Sequence, residues 1–290
     1  MLKRCAVFLL VAALINVKVV VFCWDNGGYS DEPSNPACGT HDWIAHHALD
    51  WLPSKEKAFI LNNLNNYLYG TELPDNGEAS DGIGDKTKHH VYFFADGSLQ
   101  ENDSAARAQE EYNEAVSLFR AGDLAGAAKR LGAMTHYISD LASFGHVMGS
   151  RTVWGEATNH GYYEDHVNSR TNSYDDEFNI FLSYDGVLNS TSAYNASLTL
   201  AYDTTFDAGG VFTCVWMEEH CDFANSAFVQ RCGQSLNLAV NLVADVLHTF
   251  YVEMVPEFPT SVIVVLFMVV AAVAVFMRRK RNLNNRLGAA

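Results

Sequence analysis

Histidine and carboxylate side chains recur at a four-residue spacing in the middle of the chain. His136 and Asp140 are four residues apart, as are His160 and Glu164, and His146 follows His136 by ten residues. Residues four positions apart share one face of a helix, about 5–6 Å apart between Cβ atoms, so both members of a pair can reach one metal ion. A single pair of this kind is more often an ordinary surface pair. Two pairs with a histidine between them indicate a metal centre.

The ligand types indicate which metal and which chemistry this centre supports. Imidazole nitrogens and carboxylate oxygens without cysteine are typical of Zn²⁺ in catalytic sites. The two oxygens of one aspartate can bridge two ions, and bridged ions can hold a hydroxide ready for in-line attack on phosphorus. The residues therefore predict zinc-dependent hydrolysis of a phosphate ester.

The order of these residues resembles the zinc-dependent phospholipase C superfamily, which also contains the single-strand-specific zinc nucleases. The family pattern has a Trp at the mature N-terminus, a His on the first helix, an Asp in a loop and then His-x-Tyr. His-x3-Asp, a further His and a final His-x3-Glu or His-x3-Asp follow. The residues that match this pattern are, in chain order, Trp24, His41, Asp75, His90, His136, Asp140, His146, His160 and Glu164.

The resemblance implies three zinc ions per chain. The implied ligands of the first ion are Asp75, His90, His136 and Asp140. The implied ligands of the second are the α-amino nitrogen and carbonyl oxygen of Trp24, with His41 and the bridging Asp140. The implied ligands of the third are His146, His160 and Glu164. Asp75 and Asp140 are the implied catalytic residues, with Asp75 orienting the water and a zinc-bound hydroxide attacking phosphorus.

Two of these assignments have competitors nearby in the sequence. His89 is adjacent to His90, and His90 is preferred because a His-Val-Tyr run begins there. Asp81 and Asp85 compete with Asp75, which is preferred because it lies 15 residues before His90, as the family pattern suggests.

The elements that must position these residues are mainly helical. Apolar residues recur at helical spacing in 41–51, 104–120, 124–144, from 161 past 167, and 232–254. Thr40 is a plausible N-cap, Gly122 ends the second helix, and Asp123 caps the third. The best strand candidates are 178–184 and 210–216. We therefore expect an all-α fold, with residues 24–259 forming one compact multi-helix domain similar to phospholipase C.

The N-terminus is typical of a signal peptide. Lys3 and Arg4 precede an apolar run over residues 5–17, and cleavage after Cys23 would remove residues 1–23. Trp24 would then be the mature N-terminus, which the second implied zinc site requires. The signal peptide and the zinc site therefore depend on each other.

The C-terminus is typical of a membrane anchor. Residues 261–277 carry no charge, and Arg-Arg-Lys-Arg follows at 278–281. This pattern predicts a transmembrane helix within residues 260–290 and a basic cytoplasmic tail, with the catalytic domain at the cell surface. The run Val-Pro-Glu-Phe-Pro at 255–259 resembles the Pro-Glu-Phe type of archaeal C-terminal sorting signal.

The charge of the middle segment bears on the substrate. The whole chain has a formal net charge of −15, but residues 24–259 hold 11 basic and all 34 acidic residues, a net charge of −23. Such a surface argues against binding nucleic acid through a broad basic face. Glu164 as the last ligand resembles the phospholipase branch. We therefore expect a phospholipid substrate; the alternatives are a nuclease or nucleotidase on the same site, and a non-enzymatic metal-binding surface protein.

Four cysteines remain after removal of the predicted signal peptide. They are Cys38, Cys214, Cys221 and Cys232, and they lack paired CxxC spacing. In an oxidising compartment an even number of cysteines without a zinc-binding spacing predicts two disulfides.

Overall fold

The computed structural model describes residues 39–75, 83–173 and 177–254, with short helical pieces at 268–271, 273–275 and 277–278. The chain divides into two units, Met1–Phe250 and Tyr251–Ala290. The described part is mainly helical, as the sequence predicted. All described candidate ligands lie in the first unit.

Helices form most of the described chain. They are α1 (Thr40–Trp51), α2 (Ser54–Leu61), α3 (Leu64–Glu72), α4 (Asp103–Ala121), α5 (Leu124–Ser139), α6 (His160–Asn168), α7 (Ala193–Phe206), α8 (Cys214–Glu219) and α9 (Ser226–Met254). Short 3-10 helices lie at Asp140–Ala142, Phe144–His146 and Glu177–Phe181. A small antiparallel hairpin joins β1 (Tyr92–Phe93) to β2 (Leu99–Glu101).

The connection between α4 and α5 confirms the predicted end of α4 and the predicted N-cap of α5. Gly122 ends α4 with a φ of 86°, a left-handed conformation that glycine adopts without steric cost. Asp123 then caps α5, because its side chain accepts a hydrogen bond from the Gly126 amide at 2.9 Å.

Two glycines allow α3 and α5 to approach closely. A Cβ on Gly132 would lie 1.9 Å from the carbonyl oxygen of Tyr67, and a Cβ on Gly70 would lie 2.0 Å from that of Lys129. This close packing brings the end of α3 against the last turn of α5, where His136 lies. The glycines therefore help to set the position of the metal centre.

Two predicted strands, the end of one predicted helix and one predicted N-cap need correction. Glu177–Phe181 is a 3-10 helix, and the segment 210–216 leads into α8, so neither predicted strand is present. A short apolar run fits a strand and a buried helix equally well, which explains both errors. The third predicted helix ends at Ser139 and continues only as 3-10 turns, and Gly39 rather than Thr40 is the N-cap of α1.

Several predictions about the two ends lie outside the described residues. The signal peptide 1–23 and Trp24 lie there, as does most of the predicted span 261–277; the described pieces of that span are helical and exposed. Among the described residues α9 is the one helix long and apolar enough to cross a membrane, but 56% of its apolar window is buried, as in a core helix. The transmembrane anchor therefore stays a prediction.

The prediction of two disulfides is not met among the described cysteines. Two disulfides among four cysteines require at least one bond between members of the set Cys214, Cys221 and Cys232, and all three are free thiols. Cys214 and Cys232 are buried. Cys38 lies outside the described residues.

Candidate metal centre

Imidazole and carboxylate side chains from helices, turns and loops converge in the interior. His41 comes from α1, His136 from the last turn of α5, and Asp140 and His146 from the 3-10 turns that follow. His160 and Glu164 come from α6, one helical turn apart. Among the described residues, the potential ligands that lie within 4.8 Å of one another form three groups: His41, Asp75 and His136; His89, His136 and Asp140; and His146, His160 and Glu164.

Asp140 lies at the centre of the cluster and is fully buried. Its Oδ2 atom is 2.6 Å from His89 Nδ1 and 3.3 Å from His136 Nε2. Its Oδ1 atom is 3.3 Å from His41 Nε2 and 3.8 Å from His146 Nε2. The two oxygens therefore face different histidines, which is the arrangement expected of a carboxylate that bridges two cations.

Asp75 lies beside the same histidines. Its Oδ1 atom is 3.6 Å from His136 Nε2 and 3.8 Å from His89 Nδ1. The side chain of Asp85 instead accepts hydrogen bonds from the amide and hydroxyl of Thr87. The placement agrees with the preference for Asp75 over Asp85, while Asp81 lies outside the described residues.

The structure places His89, and not His90, in the ligand groups. His90 stacks on the rings of Tyr92 and His146, with centroids 5.5 Å away in both cases, and belongs to none of the three ligand groups. His89 Nδ1 instead lies 2.6 Å from Asp140 Oδ2.

Substituting each of the two histidines in turn tests which of them binds the metal. We expect His89→Ala to lose one zinc equivalent and at least about 100-fold in phosphodiesterase activity, because it removes a ligand rather than a supporting group. His90→Ala, the matched control, should keep the zinc content of the wild type. Metal analysis and activity assays check both variants, and the reverse pattern would restore His90 as the ligand.

The third group is built by α6 and the turn that contains His146. His160 Nε2 lies 2.6 Å from Glu164 Oε1, and His146 Nε2 lies 3.3 Å from the same oxygen. Glu164 is buried, whereas the side chain of His160 is 20% exposed. The four-residue spacing thus places both side chains on one face of α6, as expected from helix geometry.

Hydrogen bonds on the outer side of the rings orient three of the histidines. His136 Nδ1 donates to the carbonyl oxygen of Thr71 at 2.6 Å, and His89 Nε2 donates to that of Asp85 at 2.6 Å. The Ser139 hydroxyl donates to a backbone carbonyl, so it accepts the hydrogen bond from His41 Nδ1 at 2.7 Å. The other nitrogen of each ring therefore faces the carboxylates, as is usual for histidines that bind a metal.

The ionised carboxylates of the cluster favour a cation, and a metal ion that binds His136 must displace a proton from its ring. Burial opposes the charge of Asp140 and Glu164, but neighbouring histidines outweigh it and hold the pKa of both carboxyls below their ordinary values. Burial, reinforced by His136, lowers the pKa of His41 to about 3. Burial also lowers the pKa of His136, but Asp140 and Asp75 outweigh it and raise that pKa to about 9. The carboxylates are thus ionised and attract positive charge.

Four buried atoms of Asp140, His146 and Glu164 lack a hydrogen-bond partner. They are Asp140 Oδ1, both ring nitrogens of His146 and Glu164 Oε2. Buried polar atoms are normally hydrogen-bonded, and leaving one without a partner costs about 1–3 kcal/mol. Nitrogen and carboxylate donors that converge in this way fit zinc. The described residues therefore fit the metal that the sequence predicted.

An open cleft of about 680 Å³ leads to the cluster. His89, His146 and His160 line its floor. Around them lie the charged side chains of Lys86, Glu156 and Asp165 and the rings of His90, Tyr92 and Tyr162. A cavity of this size can admit the polar part of a phosphodiester substrate.

Comparison with known proteins identifies the family. The profile of the family described as zinc dependent phospholipase C matches residues 40–205. The chain belongs to the zinc-dependent phospholipase C family. Membership supports zinc as the metal and a hydrolase as the class of enzyme, in agreement with the sequence prediction. The number of ions and the ligand of each remain predictions.

The fold is similar to that of a solved toxin structure, and a second toxin structure also matches with a lower score. The alpha toxin from Clostridium absonum is 17% identical with a TM-score of 0.51, and the match covers 76% of this chain and 64% of the toxin. The alpha-toxin of an avian strain of Clostridium perfringens is 12% identical with a TM-score of 0.49, covering 74% of this chain and 64% of the toxin. The chain thus spans less than two thirds of each toxin. No curated protein sequence matches it.

Proposed function

We propose that the protein is a zinc-dependent phosphodiesterase of phospholipase C type that hydrolyses phospholipids at the cell surface. The observation that carries the proposal is the buried Asp140 carboxylate, whose two oxygens face separate histidines beneath an open cleft. Zinc ions bound there would polarise the phosphoryl oxygens and lower the pKa of water.

The protein's own side chains hold and orient the reacting groups. We assign Asp75, His89, His136 and Asp140 to the first ion, and His146, His160 and Glu164 to the third. For the second ion we propose His41 and Asp140 with the predicted N-terminal Trp24. Asp75 lies at the edge of the first group and is 14% exposed, so its carboxylate can orient a water molecule that enters from the cleft.

The lining of the cleft favours a lipid head group that is not anionic. Among the described residues of the lining, the two acids Glu156 and Asp165 outnumber the cation Lys86. The exposed ring of Tyr162 offers a face that attracts an ammonium group. We therefore propose an amine-bearing phospholipid as the preferred substrate. The net charge of −23 over residues 24–259 supports the same choice over a nucleic acid.

A panel of substrates tests this proposal on the zinc-loaded protein. We expect vesicles of phosphatidylcholine or phosphatidylethanolamine to be hydrolysed faster than phosphatidylglycerol vesicles, because the acids of the cleft repel an anionic head group. Release of the phosphorylated head group measures the rate on each lipid.

Single-stranded DNA is the comparison substrate in this panel. DNA hydrolysed faster than every lipid would establish the nuclease alternative. If the zinc-loaded protein cleaved neither phospholipids nor DNA, the result would favour the alternative of a non-enzymatic metal-binding protein.

The cell-surface location rests on the sequence of the two ends. Residues 1–23 have the pattern of a signal peptide, and 260–290 have the pattern of a membrane anchor with a basic cytoplasmic tail. We propose that the anchor keeps the catalytic domain beside the outer face of a membrane.

A further inference from the structure

The carboxylate of Glu218, which lies outside the metal centre, makes hydrogen bonds to the segment that precedes His160. Glu218 lies on α8, beyond residues 40–205 that the family profile matches. Its carboxylate accepts hydrogen bonds from the backbone N–H groups of Thr158 and Asn159, at 2.9 and 3.1 Å. The hydroxyl of Thr158 also donates to it, and so does the side-chain amide of Asn159 at 3.1 Å.

These bonds replace the usual cap at the start of α6. Asn159 is the N-cap residue, but its side chain makes no capping bond and donates instead to the carbonyl oxygen and carboxylate of Glu218. A negative charge at a helix N-terminus is also favourable to the helix dipole. The position at which α6 begins is therefore set by a residue 59 positions away from Asn159.

The start of α6 matters because His160 is its first residue. The ring of His160 is the most exposed member of the third ligand group, so burial alone fixes its position less firmly than those of His146 and Glu164. It packs closely over Gly145, where a Cβ would lie 2.2 Å from its Cδ2 atom. Helix α8 also packs against the turn Phe144–His146.

We propose that Glu218 is a positioning residue for the third zinc ion. By fixing the loop at Thr158 and Asn159, it holds His160 and Glu164 on the face of α6 that meets His146. This inference rests on the metal centre of the proposed function, and it concerns metal binding rather than the substrate.

Zinc titration of the full-length protein against a chromophoric chelator tests this role. We expect Glu218→Ala to weaken one of the three zinc ions by about 10–100-fold, the usual cost of losing a group that orients a ligand, and to leave the other two unchanged. Glu218→Gln should have a smaller effect, because one of its oxygens can still accept from Thr158. Glu219→Gln is the matched control, since Glu219 is the exposed neighbour on the same helix.

A double variant identifies the ion that Glu218 affects. Glu164→Gln removes a ligand of the third ion, so adding Glu218→Ala to it should cause no further loss at the other two ions. If all zinc affinities of Glu218→Ala lay within about twofold of the wild-type values, the proposal would be overturned. An equal weakening of all three ions would also overturn it, because it would show a general structural role.

A second variant keeps the test valid if Glu218→Ala does not fold. Asn159→Ala removes only the side-chain bonds to Glu218 and should weaken the same ion by about tenfold; unchanged affinity in this variant would count against the proposal. A wild-type protein that binds three zinc ions but cleaves no phosphodiester would refute the proposed function and leave this inference intact.

Discussion

Asp140→Asn should abolish most of the phosphodiesterase activity while the protein remains folded. The carboxylate contacts His41, His89, His136 and His146 through its two oxygens, so the substitution affects more than one ion at once. The amide has one oxygen acceptor and no charge, and it cannot bridge two cations. We expect a loss of more than about 10³-fold in kcat/KM, equivalent to about 4 kcal/mol of transition-state stabilisation.

An Asp→Asn substitution at the N-terminal end of α5 provides the control. Asp123→Asn substitutes the N-cap of the helix whose last turn carries His136, and asparagine caps a helix about as well as aspartate. This variant should keep full activity and full zinc content. Circular dichroism and metal analysis accompany the rate measurement for both variants. If Asp140→Asn were folded, zinc-loaded and fully active, the proposed centre would not be the catalytic site.

Sequence reasoning located the parts of the site that depend on local geometry. The four-residue spacing of His136 and Asp140, and of His160 and Glu164, is sufficient to place each pair on one helical face. Asp75 was chosen from a loop by resemblance to a family, and its placement near His136 agrees with that choice. The two pairs could be identified because a four-residue spacing along a helix nearly determines the distance between the side chains.

The remaining features depend on contacts between distant parts of the chain. The side to which His89 and His90 point is set by the packing of their segment, where the amide of Val91 donates to the carbonyl oxygen of His146. The spacing of residues along the chain does not indicate which of these two histidines faces Asp140. Glu218 reaches Asn159 across 59 positions of sequence and stands in no recognisable motif. The apolar residues of 178–184 fit either a strand or a buried turn, because a short run has no distinctive period.

Removing zinc with a chelator should destabilise the protein as well as inactivate it. The ionised carboxylates of Asp140 and Glu164 are buried beside four buried histidines and the partly exposed His160. Bound cations would compensate their charge and satisfy their unpaired oxygen lone pairs. A ligand that binds only the folded state at 1,000 times its Kd contributes about 4 kcal/mol. For a domain of this size each kcal/mol shifts Tm by about 2–4 °C, so even one ion lost should lower Tm by about 8 °C or more.

Adding metals back to the chelated protein separates zinc binding from a general effect of the chelator. Zn²⁺ should restore both Tm and activity, whereas Mg²⁺ should restore neither, because Mg²⁺ demands oxygen ligands and the cluster offers mostly imidazole nitrogens. Calorimetry measures Tm, and metal analysis of the same sample confirms that the ions have been removed. A metal-free protein with the Tm of the zinc-loaded form would mean that the buried carboxylates are compensated by the protein alone. The neighbouring histidines would then have to be protonated to supply that charge, and the cluster would be a structural ion-pair network.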